Sequence, residues 1–139
     1  MRLYRNLHSL RRAGERQRAV TVGAYDGLHL GHQEILTQLR EHGRSQDLST
    51  LVLSFEPMPK EFFSPLNPPA RLTRFRERYD ILEAVGIDEF FCPRFSSIRN
   101  LTPDAFMQDL LVDGLGTRHV VVGDDFRFAA QRLGTIDDL

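Results

Sequence analysis

The sequence predicts an α/β fold in which an open parallel β-sheet is covered by helices on both faces. Four short segments rich in branched or aromatic residues are typical of buried strands, and they lie at residues 20–22, 50–55, 87–92 and 119–122. Stretches with helical spacing of apolar residues separate them. Alternation of strands and helices favours parallel pairing, because each crossover helix returns the chain to the same edge of the sheet. A chain of 139 residues has room for one such domain.

The first of these strands is followed by a turn and then a helix. Residues 19–22 are apolar or β-branched and predict a buried strand. Residues 33–40 predict a helix, because Ile35, Leu36 and Leu39 share one of its faces. The intervening turn therefore leads directly into the N-terminus of a helix.

A second helix is predicted between the strands at 50–55 and 87–92. Thr73 is a candidate N-cap, and Phe75, Tyr79 and Leu82 follow with helical spacing. Gly86 fits the C-terminal cap, where glycine adopts a left-handed conformation without strain.

A third helix is predicted before the last strand. Residues 102–104 (Thr-Pro-Asp) supply an N-cap, a proline at the first helical position and an acid in the first turn. Phe106, Leu110 and Leu111 then form a buried stripe. We expect both helices to serve as scaffold.

Composition excludes several classes of protein. The 18 basic and 19 acidic residues give a formal net charge of −1, so the sequence lacks the excess of basic residues typical of nucleic-acid-binding proteins. Cys92 is the single cysteine, lies in an apolar run that predicts a core position, and fits a reducing cytoplasm. No apolar stretch approaches the length of a membrane span, so we expect a cytoplasmic protein. The sequence does not predict its oligomeric state. The N-terminal arginines are expected on a solvated surface: Arg2, Arg5, Arg11, Arg12, Arg16 and Arg18.

The turn at residues 23–32 predicts a phosphate-binding site. Free backbone N–H groups and the positive end of the helix dipole favour an anion at a helix N-terminus. Gly27 and Gly31 have no side chain to keep a phosphate at a distance. His29 and His32, spaced i and i+3, can share one face of the first helical turn.

The same turn resembles a family motif. Residues 25–32 (YDGLHLGH) resemble the extended (F/Y)DGxHxGH signature of the adenylyltransferase module of prokaryotic bifunctional riboflavin kinase/FMN adenylyltransferases. Three further segments match that family in order, namely 55–63 (FEPMPKEFF), 69–73 (PARLT) and 122–128 (VGDDFRF). The resemblance covers essentially the whole chain.

The resemblance implies a Rossmann-like nucleotidyltransferase fold and transfer of AMP from ATP to FMN, giving FAD and pyrophosphate, with Mg²⁺ accompanying ATP. It implies catalytic roles for His29 and His32 beside the ATP phosphates; the ligands of Mg²⁺ stay unknown. The implied ATP- and phosphate-binding residues are Gly23, Tyr25, Asp26, Gly27, His29, Gly31 and His32. The implied FMN-binding residues are Glu56, Arg71, Asp125, Phe126, Arg127 and Phe128.

Several of these residues have a structural alternative. Asp26 either caps the turn or orients a histidine, and Glu56 either anchors a strand end or contacts a ligand. Phe126 and Phe128 suit a flavin ring or the core equally, and Arg71 is either a ligand contact or solvated. At the level of the protein, the alternatives are a non-catalytic flavin- or nucleotide-binding fragment and another HxGH nucleotidyltransferase. A metal hydrolase is less favoured, because no third histidine lies at ligand spacing.

The chain departs from the family pattern at three positions and lacks one motif. Met58 stands where many relatives carry histidine, and Ala129 and Thr135 replace a glycine and an acid. The Ser/Thr-rich ISS(S/T)xxR motif is missing, as is a riboflavin kinase domain. We therefore expect residues 1–139 to be an FMN adenylyltransferase domain truncated at its C-terminal end, drawn from a protein that is also a riboflavin kinase.

Overall fold

A computed structural model describes residues 1–23, 25, 30–55, 75–98, 100–123, 127–128 and 134–135. The first half of the chain contains β1 (Arg2–Tyr4), α1 (Leu7–Arg12), β2 (Arg18–Val22), α2 (Leu30–Gln46) and β3 (Ser49–Leu53). The second half contains α3 (Phe75–Val85), β4 (Glu89–Phe91), a 3₁₀ turn (Phe95–Ser97), α4 (Pro103–Ala105, continuing as a π-helix over Phe106–Gly114), β5 (Thr117–Val121), β6 (Arg127–Phe128) and β7 (Gly134–Thr135).

Five strands form one parallel sheet in the order β1-β4-β3-β2-β5, which confirms the predicted fold class. After β2 the chain steps to β3 and β4 on one side and later returns to β5 on the other side. The strand order thus reverses beside β2. In open α/β sheets the crevice at such a switch point, at the carboxyl ends of the strands, is the usual ligand site. The short β6 and β7 pair separately and antiparallel.

The helices cover both faces of the sheet, as predicted. On one face, α1 and α4 pack through Leu10, Phe106 and Leu110 against Val20, Leu51 and other strand residues. On the other face, α2 and α3 pack through Leu36, Leu39 and Leu82. Cys92 is buried in this second cluster, which confirms its predicted core position. Alternate side chains of each strand pack into the two cores, because successive residues of a strand point to opposite faces of the sheet.

The structure confirms the helix termini predicted at Thr102 and Gly86. The Thr102 hydroxyl accepts a hydrogen bond from the Ala105 N–H at 3.2 Å, and Pro103 occupies the first helical turn. Gly86 has φ +99° and ends α3 in a Schellman arrangement, with the Ile87 N–H donating to the Leu82 carbonyl at 3.2 Å. The N-cap predicted at Thr73 lies outside the described residues.

The arginine-rich N-terminus differs from the prediction. It forms β1, at one edge of the sheet, and α1, neither of which the apolar pattern indicated. Most of its arginines are exposed or half-buried, but Arg18 is buried in β2. Its guanidinium donates to both carboxylate oxygens of Glu89 on β4, at 2.8 and 3.1 Å, and to the Leu115 carbonyl at 2.9 Å. The prediction of a solvated surface is therefore wrong for Arg18, because a tertiary partner compensates its charge.

Breaking this ion pair should destabilise the protein strongly. Glu89→Leu leaves the Arg18 cation buried without its counter-ion and should lower the free energy of unfolding by about 3–5 kcal/mol. Combining it with Arg18→Met should recover much of that loss, because both charges are then removed. Urea unfolding followed by circular dichroism measures both changes.

The matched control is the exposed pair of Arg76 and Asp80, whose closest atoms lie 3.2 Å apart on α3. Arg76→Met should cost less than about 0.5 kcal/mol. Equal losses at the two pairs would contradict the stabilising role assigned to the buried one.

Candidate active site

The carboxyl ends of the strands bring four short segments of the described chain to one edge of the sheet. Gly23 and Tyr25 follow β2, Ser54 and Phe55 follow β3, Cys92 follows β4, and residues 122–123 follow β5. The parallel arrangement places these ends together. The motif residues 56–59 and 124–125, which the sequence predicted at the same edge, lie outside the described residues.

Six of the thirteen predicted site residues lie in the described part of the chain. Gly23, Tyr25 and His32 are brought together at the end of β2, Gly31 lies in the first turn of α2, and Arg127 and Phe128 form β6. The others lie outside the described residues: Asp26, Gly27, His29, Glu56, Arg71, Asp125 and Phe126. The functional roles predicted for all thirteen residues stay predictions.

Helix α2 begins at Leu30, so Gly31 and His32 occupy its first turn. The prediction placed this helix at residues 33–40; the observed helix begins three residues earlier, within the glycine- and histidine-rich turn, and ends at Gln46. The first N–H groups of a helix have no carbonyl partner within the helix, and the dipole adds partial positive charge there. The end of α2 beside β2 therefore has the polarity that an anion requires.

Gly23 continues the sheet one step beyond β2. Its N–H donates to the Leu53 carbonyl at 3.0 Å. A Cβ at this position would lie 3.0 Å from Cε2 of Tyr25, closer than most real Cβ contacts. The absence of a side chain at Gly23 thus makes room for the Tyr25 ring.

Tyr25 turns its side chain back into the protein. Its backbone adopts φ 55°, and only 3% of the residue is exposed. The Tyr25 hydroxyl shares a hydrogen bond with the Thr21 hydroxyl on β2. Burial raises the pKa of the Tyr25 phenol to about 12, although the Thr21 hydrogen bond opposes that shift. The phenol is therefore protonated at physiological pH.

The Tyr25 ring also contacts His32. The two ring centroids lie 4.9 Å apart with the planes inclined by 51°, within the usual range for a packed aromatic pair. Gly23, Tyr25 and His32 thus form a continuous contact from the end of β2 to the first turn of α2.

Sequence reasoning missed a buried cation near the same edge. Arg78 on α3 is fully buried, and its Nη1 donates to Ser54 Oγ at 2.7 Å, just beyond the end of β3. The guanidinium carbon of Arg5 lies over the Phe75 ring, 4.7 Å from its centroid, and that of Arg78 lies 5.8 Å from the same centroid. The available signal was the position of Arg78 on the apolar face that Phe75 and Leu82 define.

A groove of about 560 Å³ runs along β5 toward Val122. His42 of α2 and His119 of β5 line it, with ring centroids 3.9 Å apart and planes inclined by 35°. Burial lowers the pKa of His119 below its usual value of 6.5, and the charge of His42 lowers it further.

Within the described ranges, no three His, Cys, Asp or Glu side chains are grouped so that they could hold a metal ion. The same ranges contain no helix long and apolar enough to cross a membrane.

Comparison with known proteins decides the family. A model of the FAD synthetase family matches residues 11–139. The chain belongs to the FAD synthetase family. The bifunctional riboflavin kinase/FMN adenylyltransferase of Escherichia coli strain K12 is 43% identical to this FAD synthetase domain over 135 residues, which cover 96% of the chain and 43% of that enzyme.

The protein of the same name from Pseudomonas fluorescens is 42% identical over 140 residues, covering 100% of the chain and 44% of that protein. The FAD synthetase chain thus spans less than half the length of the curated relatives it matches. A solved structure described as a macrolide-efflux protein from Streptococcus pneumoniae is similar with a TM-score of 0.74 at 25% identity, covering 98% of this chain and 44% of that one. The predicted Rossmann-like fold is confirmed.

The hydrogen bond between Thr21 and Tyr25 should contribute measurably to the free energy of unfolding. Tyr25→Phe or Thr21→Val leaves one buried hydroxyl without its partner and should cost about 1–3 kcal/mol. The double variant should cost less than the sum, because neither hydroxyl then remains. Urea unfolding gives the three values. Tyr79→Phe, which loses a half-buried hydrogen bond of 3.2 Å to the Met1 carbonyl, is the control and should cost less than about 1 kcal/mol. If the decrease in the free energy of unfolding of the double variant equals the sum of the two single decreases, the predicted coupling between Thr21 and Tyr25 is contradicted.

The lowered pKa of His119 predicts a pH dependence of stability. The folded state binds a proton at His119 less readily than the unfolded state does. The free energy of unfolding is therefore unaffected by His119 above about pH 6.5 and decreases as the pH falls below that value. The urea midpoint should fall between about pH 7.5 and about pH 5.5, and His119→Asn should reduce that fall. His8→Asn, at an exposed site on α1, is the matched control and should keep the original slope. An identical slope in His119→Asn would contradict the prediction.

Proposed function

We propose that the protein containing this chain transfers AMP from ATP to FMN, giving FAD and pyrophosphate. The single observation that carries the proposal is the position of His32 in the first turn of α2, beside the end of β2 where the strand order reverses. Family membership and the printed names of the relatives support it. Riboflavin kinase activity of a longer chain and a cytoplasmic location are proposed with it.

The chemistry needs alignment and charge stabilisation rather than a covalent intermediate. A phosphate oxygen of FMN attacks the α-phosphorus of ATP, and the bond from that phosphorus to the bridging oxygen breaks as pyrophosphate leaves. Negative charge grows on the transferring phosphate and on the leaving group. The N–H groups at the start of α2 and the imidazoles of His29 and His32 are the groups proposed to stabilise it, together with the glycine turn (Gly23, Gly27 and Gly31).

Two further sets of residues complete the proposed site. Tyr25 and Asp26 are assigned to the phosphate-binding turn, and Glu56 and Arg71 to the FMN side. After β5, residues 125–128 (Asp-Phe-Arg-Phe) are assigned to FMN, because aromatic faces suit its ring system and a carboxylate can accept hydrogen bonds from it. Mg²⁺ bound with ATP would neutralise charge on the outer phosphates, and its ligands are not among those assigned here.

The direct test is FAD and pyrophosphate formation from FMN, ATP and Mg²⁺. It is run on the 139-residue chain and on a longer chain that extends through the segment where relatives carry the ISS(S/T)xxR motif. We expect FAD from the longer chain and much slower formation from the shorter one. Binding of FMN and ATP without pyrophosphate release by the longer chain would favour a non-catalytic binding module. Adenylylation of a different phosphorylated acceptor would favour another HxGH transferase.

The histidines should be required for turnover. His29→Ala or His32→Ala in the longer chain should lower kcat/KM for FAD formation by about 10²-fold or more, because a donor to the transition state is lost. His42→Ala, at the opposite end of α2 from His32, is the matched control and should retain most of the activity. Near-normal turnover in both site variants would refute the phosphate role.

Asp125 should act selectively on FMN. Asp125→Ala removes a hydrogen-bond acceptor that is proposed to contact the flavin and should weaken FMN binding by about tenfold or more, while ATP binding changes little. Isothermal titration calorimetry with each ligand measures the two affinities. Asp109→Ala, at an exposed position of α4, should alter neither. Equal losses for both ligands would indicate a general structural role for Asp125.

A further inference from the structure

Tyr25 is held from inside the sheet by three independent constraints. Its ring fills the space that Gly23 leaves open, since a Cβ there would lie 3.0 Å from Cε2. Its hydroxyl is tied to the Thr21 hydroxyl, and the whole residue is buried in the core under α2. Because the Gly23 contact, the hydrogen bond to Thr21 and the packing under α2 act together, the Tyr25 ring has little freedom to move.

The backbone at Tyr25 shows the same constraint. A non-glycine residue at φ 55° is uncommon, and for a bulky side chain the conformation is unfavourable by about 1 kcal/mol or more. Such a conformation persists only where surrounding contacts determine it. The packed and hydrogen-bonded side chain supplies those contacts.

His32 packs against this fixed ring. The imidazole lies 4.9 Å from the Tyr25 centroid and is half-buried, so one side of it rests on Tyr25. A helix backbone by itself permits more than one histidine rotamer. Contact with an immobile ring reduces that choice and sets the direction in which the imidazole nitrogens point.

We propose that Tyr25 is the positioning residue of His32: anchored by Thr21 and Gly23, its ring fixes the orientation in which the imidazole meets the phosphate. The catalytic part of this inference rests on the proposed function, and the structural part does not. Tyr25 acts through packing and not through proton transfer, because its hydroxyl is buried and hydrogen-bonded to Thr21. Displacement of a catalytic group by about 1 Å is enough to cost about 10²-fold in rate.

The test uses the full-length protein with ¹³C-labelled histidine. The His32 imidazole signal, assigned from its loss in His32→Gln, is followed by NMR through a pH titration without ligands. Tyr25→Leu, which removes the ring, should shift or broaden that signal. Gly23→Ala, which forces the ring to move but keeps it, should shift the signal as well. Tyr25→Phe keeps the ring but loses the bond to Thr21, so it should change the signal less than Tyr25→Leu does. Tyr79→Leu is the matched control, because it removes a half-buried tyrosine from the same core cluster near Met1.

The kinetic arm measures FAD formation with the same variants. Tyr25→Leu should lower kcat by about tenfold or more with KM for FMN within about threefold, because orientation and not binding is lost. Tyr25→Phe keeps the ring but loses the bond to Thr21, so it should lower kcat less than Tyr25→Leu does. An unchanged His32 signal in both Tyr25→Leu and Gly23→Ala overturns the proposal, as does an altered signal with unaltered kcat.

The two arms separate this inference from the proposed function. Absence of FAD formation by the unmodified full-length protein would overturn the proposed function, while the ligand-free titration would still decide whether Tyr25 orients His32. Urea unfolding of each variant identifies any that fails to fold, in which case Gly23→Ala carries the test.

Discussion

The ion pair between Arg18 and Glu89 is the constraint around which the sheet is arranged. Arg18 lies on β2 and Glu89 on β4, so the pair crosses β3, and the third contact of Arg18 reaches the carbonyl at the end of α4. Both side chains are almost completely buried, at 2% and 1% exposure. Charges removed from water to that extent are tolerated only when their hydrogen-bonding groups are matched. The pair therefore fixes three strands and a helix relative to one another, since a slip of one residue would turn Arg18 to the other face.

The functional end of β2 depends on the same strand being held at its other end. Arg18 is bound on the face covered by α1 and α4, whereas Thr21 holds Tyr25 on the face covered by α2. The strand is only five residues long and is thus fixed from both sides. The placement of Tyr25, and with it the contact to His32, follows from the position of a strand that has little freedom to shift.

Polar contacts of the same kind locate the neighbouring strand. At the start of β3, Asp88 accepts hydrogen bonds from the N–H and hydroxyl of Thr50 at 2.9 and 3.1 Å. Beyond its end, Ser54 accepts a hydrogen bond from Arg78 of α3. The apolar middle of the sheet supplies stabilisation by burial, which is not directional. The polar groups near the strand ends supply direction, and they determine where each loop leaves the sheet.

The sequence by itself determined the fold class, the order of the central elements and the position of the helix start at the glycine- and histidine-rich turn. These follow from local causes: the strands are apolar and branched, Thr102 and Gly86 fit helix termini, and Leu36 and Leu39 repeat with helical spacing. Cys92 was placed in the core correctly for the same reason. The tertiary structure alone decided the roles of Arg18, Arg78, Thr21 and Tyr25. An arginine is solvated or buried according to whether a distant carboxylate or hydroxyl meets it, and Glu89 is 71 residues from Arg18 in the chain. The burial of the Tyr25 ring beneath His32 was likewise not predictable from the sequence. Contacts between elements are set by how the faces of the sheet and helices meet and not by local sequence.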